Sequence, residues 1–515
     1  MPEIETLRTQ ADLVSRARRM HPSRLAYRDR NQSITWAECD AAVGRIAARL
    51  SAMDLGAGDR IVIALSNQIP FVLTYFAALR AGLIAVPTSP ESASRELAHV
   101  LNDSGAAAMI GTDRPADNEV TFIEVADLLT AGFDQSAPSI GQAAVGIDDV
   151  STLFYTNGTT GTPKGAMLTH RNLLANRQQI ALLPQALEAQ DLLYIGVPGY
   201  HIYGLGPGIC QVAWAASAAL LDDHFAPVDS LEMIADQRVT AILAVPQMYD
   251  AWSDCSAERQ QRAFEGVRIG MSGAAPLPGA TLEALASKGL AVWEGYGLTE
   301  TSPVVTSTLV GGLAKPGSVG RPIPGVDVQL RRIDNSIIEV DEPTALDEVN
   351  FDVDGAAHDG GEIYVRGASV FAGYWPDRRD GAGAGGWFGT SDVAYRDDDG
   401  DLFLIDRIGD LIIVSGFNVY PSEVESVMRT ADGVAEAAVI GVPSERTGEA
   451  VSAFVVPQVV DGVDGVDHAQ LLESIGAHCR HELARYKRPT TIEIVQQLPH
   501  TATGKVRRTV LRESR

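Results

Sequence analysis

Over most of the chain the apolar residues fall into short runs separated by stretches with helical spacing. Arg60-Ile-Val-Ile-Ala-Leu65 has the length and composition of a buried strand. Positions 68 to 81 then repeat their apolar residues at helical intervals, and Leu83-Ile-Ala-Val86 gives a second strand-like run. Strand, helix, strand predicts parallel pairing, because a parallel neighbour can be reached only through a crossover. Val239-Thr-Ala-Ile-Leu-Ala-Val245, just ahead of Pro246, predicts another buried strand. The last hundred or so residues have a different texture. Two runs, Ala437-Ala-Val-Ile-Gly-Val442 and Val451-Ser-Ala-Phe-Val-Val456, precede a helix whose Leu471, Ile475, Cys479 and Leu483 recur every four residues along one stripe. The pattern predicts an α/β protein. A large N-terminal domain of parallel-sheet α/β layers would take residues 1–408, and a small α+β C-terminal domain residues 409–515, with the boundary near residues 406 to 411.

There is no internal repeat and no long low-complexity tract. Residues 341 to 361 are rich in Asp, Glu and Gly and read as a solvated surface loop, extra acidic sequence to which no function attaches. Residues 377 to 386 read as a mobile one. Asp397-Asp-Asp-Gly400 reads as a hairpin turn between strands rather than as a metal site.

Length and charge narrow the function. A chain of 515 residues is too long for a single core. Its formal net charge of −25 repels nucleic acid and anionic membranes at long range, so neither is expected as a partner. Any anionic substrate must be met by local cations and backbone amides. No apolar run approaches the roughly 20 residues of a membrane helix, and the start Met-Pro-Glu-Ile-Glu-Thr lacks the layout of a secretory signal, which predicts a cytoplasmic protein. The four cysteines, Cys39, Cys210, Cys255 and Cys479, are far apart and form no CxxC pair. Reduced, mostly buried thiols are expected, not a disulfide framework or zinc site.

The strongest chemical signal is Tyr155-Thr-Asn-Gly-Thr-Thr-Gly-Thr-Pro-Lys-Gly165, which follows the apolar run Ser151-Thr-Leu-Phe154. Small and hydroxylated residues leave the backbone amides bare and add hydroxyl donors. Such a loop can wrap polyphosphate oxygens, with Lys164 as the point charge. The spacing is not that of a Walker A loop. The stretch resembles the YTSGTTGxPKG loop of the adenylate-forming superfamily, which includes acyl-CoA synthetases, luciferases and nonribosomal adenylation domains. Asn157 stands where Ser is usual and keeps a donor and an acceptor.

The resemblance extends over nearly the whole chain, in the family's motif order. It implies that Thr156, Asn157, Gly158, Thr159, Thr160 and Gly161 hold the phosphates of ATP, with Thr160 also near the metal. Pro198-Gly-Tyr-His201, followed by Gly204 and Gly206, is similar to the motif whose His lines the acyl tunnel near the carboxylate. Ser272-Gly-Ala-Ala-Pro276 and Glu294-Gly-Tyr-Gly-Leu-Thr-Glu300 resemble the adenine and Mg²⁺ motifs. In that likeness Gly273, Ala274, Ala275, Glu294, Gly295, Tyr296 and Gly297 border the nucleotide, Tyr296 stacking on adenine. Thr299 meets the α-phosphate, and Glu300 holds Mg²⁺ through hard carboxylate oxygens.

Trp387-Phe-Gly-Thr-Ser-Asp392 resembles W-x-x-T-G-D, which implies that Asp392 accepts from the ribose hydroxyls. Ser391 replaces the usual Gly, a position where φ > 0 is a concern. Asp406-Arg-Ile-Gly-Asp-Leu-Ile-Ile-Val-Ser-Gly-Phe-Asn-Val-Tyr-Pro421 resembles the hinge motif. It implies that Arg407 contacts the nucleotide, Ser415 and Gly416 border the CoA channel, and Gly409 occupies the pivot, where Asp or Lys is usual. Pro499-His-Thr-Ala-Thr-Gly-Lys505 resembles the motif that delivers the adenylation lysine from a mobile C-terminal domain.

The implied reaction has two steps. A substrate carboxylate attacks the α-phosphorus of ATP and releases pyrophosphate; a CoA thiol then attacks the acyl adenylate. The nucleophile is supplied by the substrate, so the protein's task is positioning and electrostatics. Lys164, Lys505, Mg²⁺ on Glu300 and the loop amides are the candidates. The stretch from Leu411 to Glu425 and Tyr296-Gly-Leu-Thr-Glu-Thr-Ser-Pro303 are most similar to fatty acyl-CoA ligases, which points to a medium- or long-chain fatty acid. The alternatives are an aryl-CoA ligase acting on cinnamate- or benzoate-like acids, an acyl-AMP ligase serving a carrier protein, and a homologue that binds without catalysis. Against the acyl-AMP ligase, Thr301 to Gly320 leaves no room for the insertion those enzymes carry.

Overall fold

In the computed structural model, residues 7–115, 119–156, 163–311, 314–332, 336–338, 360–414, 417–444, 446–458, 468–501 and 504–515 are described. The acidic stretch at 341–357 therefore lies outside the described residues. The chain divides into two compact units, residues 1–327 with 365–388, and residues 328–364 with 389–515. The expected boundary near 406–411 falls inside the second of these. No helix among the described residues is long and apolar enough to cross a membrane.

The run at residue 60 becomes the strand Arg60–Ala64, and Ile84–Thr88 pairs parallel to it in the register Arg60↔Ile84. Between them runs helix Ile69–Arg80, buried on almost every side, as a helix apolar all round must be. These strands belong to a six-stranded sheet ordered Thr121–Glu124, Ala108–Gly111, Arg60–Ala64, Ile84–Thr88, Val150–Thr156, Lys164–Thr169. Its last two strands form an antiparallel hairpin in the register Thr156↔Lys164.

The second sheet of this unit runs Ser318–Pro322, Val304–Ser307, Val292–Gly297, Ile269–Ser272, Ala241–Ala244, Leu192–Ile195, Ala218–Leu221, Leu25–Arg28 and Ser33–Thr35. From Val292–Gly297 through Leu25–Arg28 neighbouring strands are parallel. Ligands of such sheets bind at the carboxyl ends of the strands. There Ile269–Ser272 leads into residues 272–276 and Val292–Gly297 into residues 297–300, the two nucleotide motifs of the sequence.

In the second unit, Phe388–Arg396 and Leu402–Arg407 form an antiparallel hairpin. Its acidic turn is explained by hydrogen bonding: Asp397 Oδ1 accepts from the backbone N–H of Asp399 at 3.1 Å and of Asp401 at 2.8 Å. A small sheet of Phe417–Val419, Ile412–Val414, Gly448–Pro457 and Val434–Ser444, with Thr491–Ile494 beside Gly448–Pro457, follows. Helix His468–Glu482 covers it, and Leu471, Ile475, Cys479 and Leu483 all enter one core with Val439, Val451 and Ala453. All four cysteines are free thiols; Cys255 alone is partly exposed.

Candidate active site

The hairpin of the first sheet brings Thr156 and Lys164, which flank the glycine- and threonine-rich stretch of the sequence, opposite each other. Asn157, Gly158, Thr159, Thr160 and Gly161 lie outside the described residues. The loop's base is fixed from the side: Tyr155 Oη donates to Asp103 at 2.7 Å, and Trp375 N–H donates to the Gly165 carbonyl at 2.8 Å. Lys164 Nζ lies 3.3 Å from Asp380 Oδ2 and 5.3 Å from the centroid of the Tyr374 ring. Tyr374 Oη in turn donates to Glu300 Oε1 at 2.6 Å. One tyrosine thus links the loop lysine to the carboxylate expected to hold Mg²⁺. Sequence reading missed Tyr374; nothing in Ala372-Gly-Tyr-Trp-Pro376 sets it beside Lys164 or Glu300.

Glu300 is buried, in a single 3₁₀ turn, Thr299–Thr301, after the strand Val292–Gly297. Gly297 is required here: a Cβ would stand 1.9 Å from the carbonyl oxygen of Pro303. Behind this turn, Arg177 Nη2 donates to the Ser302 carbonyl at 2.9 Å and to Asn176 Oδ1 at 2.7 Å. Arg177 is fully buried, and no carboxylate among the described residues pairs with it. Burial lowers its pKa to about 10, so it remains a cation at neutral pH and sets a positive charge behind the motif.

Gly273, Ala274 and Ala275 follow the end of strand Ile269–Ser272, whose parallel neighbour Val292–Gly297 carries Glu294, Gly295 and Tyr296. Ala274 has φ of 72°, the left-handed region, at an energetic cost of about 1–3 kcal/mol for a residue with a Cβ. Such strain is retained where the surrounding structure fixes it. Two hydroxyls here are buried without a partner among the described residues, Ser272 Oγ and Tyr203 Oη. Orphaned donors beside the motifs fit a site that a polar ligand completes. Tyr296 is 8% exposed.

Pro198-Gly-Tyr-His201 turns into a π-helix, Gly204–Cys210. Gly204 makes the turn possible, since a Cβ would meet the Pro198 carbonyl oxygen at 2.2 Å. His201 Nδ1 accepts from the Tyr203 N–H at 3.2 Å, which assigns the ring proton to Nε2.

Glu294 is buried and its Oε1 accepts from the Leu277 N–H at 3.0 Å. Burial outweighs that bond and raises its pKa to about 7. A carboxyl raised above its unfolded value contributes stability fully below the unfolded pKa and loses it as pH rises through the folded one. Glu294→Gln keeps the acceptor but removes the charge. In thermal unfolding the variant should match the parent near pH 5 and exceed it by a few degrees at pH 8, the raised pKa amounting to roughly 3 kcal/mol. An offset that does not change with pH would contradict this.

In the second unit, cross-strand register pairs Asp392 with Arg407, and Arg407 Nε reaches Asp392 Oδ1 at 2.6 Å. The preceding Ser391 has φ of 62°, the conformation for which glycine is usual. Its N–H donates to Glu362 Oε1 at 2.9 Å, which helps hold the strained backbone. Ser391 thus takes the left-handed conformation despite its side chain. Gly409 sits in the 3₁₀ turn Ile408–Asp410 between two anchored residues. Asp406 Oδ2 accepts from the Ser422 N–H at 2.9 Å, and Asp410 pairs with Arg508 at 3.1 Å and Arg512 at 2.7 Å. Lys505 is exposed, in a turn closed by Thr501 N–H to the Lys505 carbonyl at 2.8 Å and by Lys505 N–H to Thr501 Oγ1 at 3.1 Å. Ser415 and Gly416 lie outside the described residues.

These arrangements are those of an adenylate-forming enzyme, and the chain belongs to that superfamily. The family model of AMP-binding enzymes matches residues 14–375, and that of the AMP-binding enzyme C-terminal domain matches residues 423–505. Among its relatives is a long-chain-fatty-acid–CoA ligase of Yersinia pestis, 33% identical over 90% of this chain and 86% of that protein. A feruloyl-CoA synthase of an Amycolatopsis species is 34% identical over 95% of this chain and 96% of its own. Among solved structures, o-succinylbenzoate CoA synthetase of Bacillus subtilis, in complex with ATP and magnesium ion, superposes with a TM-score of 0.82 at 29% identity, covering 96% of this chain and 98% of that one.

Proposed function

We propose that this protein is an ATP-dependent acyl-CoA ligase that converts a medium- or long-chain fatty acid to its acyl adenylate and passes the acyl group to coenzyme A. The observation that carries the reading is the Lys164–Tyr374–Glu300 cluster at the mouth of the phosphate loop. A lysine for phosphate oxygens and a buried carboxylate for a hard cation are what attack on the α-phosphorus requires. Glu300 with Thr160 would hold Mg²⁺, which screens the charge of the phosphates when bound. Asp392 and Arg407 serve the ribose side, Tyr296 the adenine, and His201 the acyl carboxylate. Residues 409–515 act as the mobile domain that brings Lys505 for the first step and gives way to CoA for the second.

A second reading, an aryl-CoA ligase, is favoured by the feruloyl-CoA synthase relative, which matches this chain over almost its full length. Pyrophosphate and acyl-CoA formation with octanoate, palmitate, ferulate and benzoate, each with and without CoA, separates the two. Pyrophosphate from a fatty acid, with acyl-CoA when CoA is present, is the expected result. Turnover of ferulate or benzoate with both fatty acids inert overturns the fatty-acid reading. Adenylate that accumulates in the presence of CoA points to a carrier protein as acceptor.

A further inference from the structure

Beside the nucleotide motifs lies a cavity of about 40 Å³. Ile269 and Met271 line it from the strand that ends in Ser272, Leu309 from the turn after Thr308, and Pro207 and Gln211 from the π-helix and the residue after it. Thr308, next to Leu309, accepts at Oγ1 from the Glu294 N–H at 2.9 Å, which ties that turn to the second motif strand. The cavity also adjoins the π-helix that follows His201, the residue that the proposed function sets beside the acyl carboxylate. The lining is apolar except at Gln211 and Gln185, and of these two only Gln211 is buried. That side chain is 1% exposed, and neither its Nε2 nor its Oε1 has a partner among the described residues.

A buried primary amide that uses neither donor nor acceptor costs on the order of 1–3 kcal/mol for each group. In an apolar acyl pocket a leucine or methionine would fill the same volume without that cost. The position makes sense if a ligand supplies the missing bonds. A hydroxyl does so completely, accepting from Nε2 and donating to Oε1. The volume, room for about three to four waters at roughly 10–15 Å³ each, suits the polar end of a compact acid better than a long alkyl tail.

We infer that Gln211 is a specificity-determining residue, and that the acid activated here carries a hydroxyl at the end remote from its carboxylate. This rests on the acid–CoA ligase reading and narrows its substrate. The hydroxyl can sit on an alkyl chain or on an aromatic ring, and both sources present the same group to Gln211.

The test compares kcat/KM for pyrophosphate release by the full chain with two matched pairs, octanoate against 8-hydroxyoctanoate and cinnamate against 4-hydroxycinnamate. The parent should prefer the hydroxylated member of at least one pair by about tenfold or more, and the pair that responds identifies the source. Gln211→Met, close in volume and without hydrogen-bonding groups, should fold at least as stably and lose that preference while keeping activity on the unsubstituted acid. Equal use of both members of each pair by the parent overturns the inference, as does a preference that survives in Gln211→Met. Failure of all four acids to release pyrophosphate overturns this inference, and the ligase reading falls with it only if palmitate, ferulate and benzoate are inert as well.

Discussion

Replacing Lys505 by alanine will lower pyrophosphate release at least about a hundredfold, while acyl adenylate supplied from outside is still converted to acyl-CoA. The reason lies in where charge develops. As the carboxylate attacks, negative charge builds on the α-phosphoryl oxygens, and one well-placed donor there is worth roughly 10²–10³ in rate. Lys505 is exposed on the second unit, in the short turn from Thr501 to Lys505. Lys164 belongs to the first, and on the proposed mechanism the second cation is delivered by domain motion. Thioester formation needs no such cation, because the adenylate's leaving group is already in place. The companion variant is Gly409→Pro, which fixes φ near −65° and restricts Ile408. If the pivot is Gly409, Asp410 moves with Arg508 and Arg512, and the Asp406–Ser422 bond must break. That variant should keep one half-reaction and slow the other at least about tenfold. Equal loss of both half-reactions in Lys505→Ala would remove Lys505 from adenylation, and parent rates in a folded Gly409→Pro would end the hinge assignment.

Glu300→Gln should raise the Mg²⁺ concentration needed for half-maximal pyrophosphate release at least about tenfold, and lower the rate at fixed Mg²⁺ by about a hundredfold. The amide keeps the shape and can still accept from Tyr374, so packing is nearly unchanged. The formal charge that holds a hard cation is lost. Tyr374→Phe is the control, since it removes the hydrogen bond and keeps the charge; its Mg²⁺ dependence should change far less. A Mg²⁺ titration of Glu300→Gln that overlays the parent's would take Glu300 out of the metal site.

The linear chain carried the elements and the motif order. The strand–helix–strand at 60–88 was legible from its continuous apolar runs, and the stripe of Leu471, Ile475, Cys479 and Leu483 because its four-residue period says which side is buried. The acidic turn at 397–401 was legible because an aspartate that bonds backbone two and four residues on is a local device. Concern over Ser391 was legible for the same reason, since φ is a local property, and its value of 62° fits the doubt.

Contacts between distant segments were decided only by the tertiary structure. Tyr374 reaches Glu300 and Lys164 because residues 372–375 bond alongside the strand Lys164–Thr169, a pairing across about two hundred positions that no local pattern records. Arg177 reads as one more polar residue on a helix, yet it is wholly buried behind the turn that follows Glu300. Gln211 reads as an ordinary polar residue, and only burial exposes its two unpartnered atoms. Residue type fixes what a side chain can donate or accept, and spacing fixes its local backbone. Desolvation and long-range partners, which set the pKa of Glu294 and the demand at Gln211, exist only once the sheets have brought remote segments together.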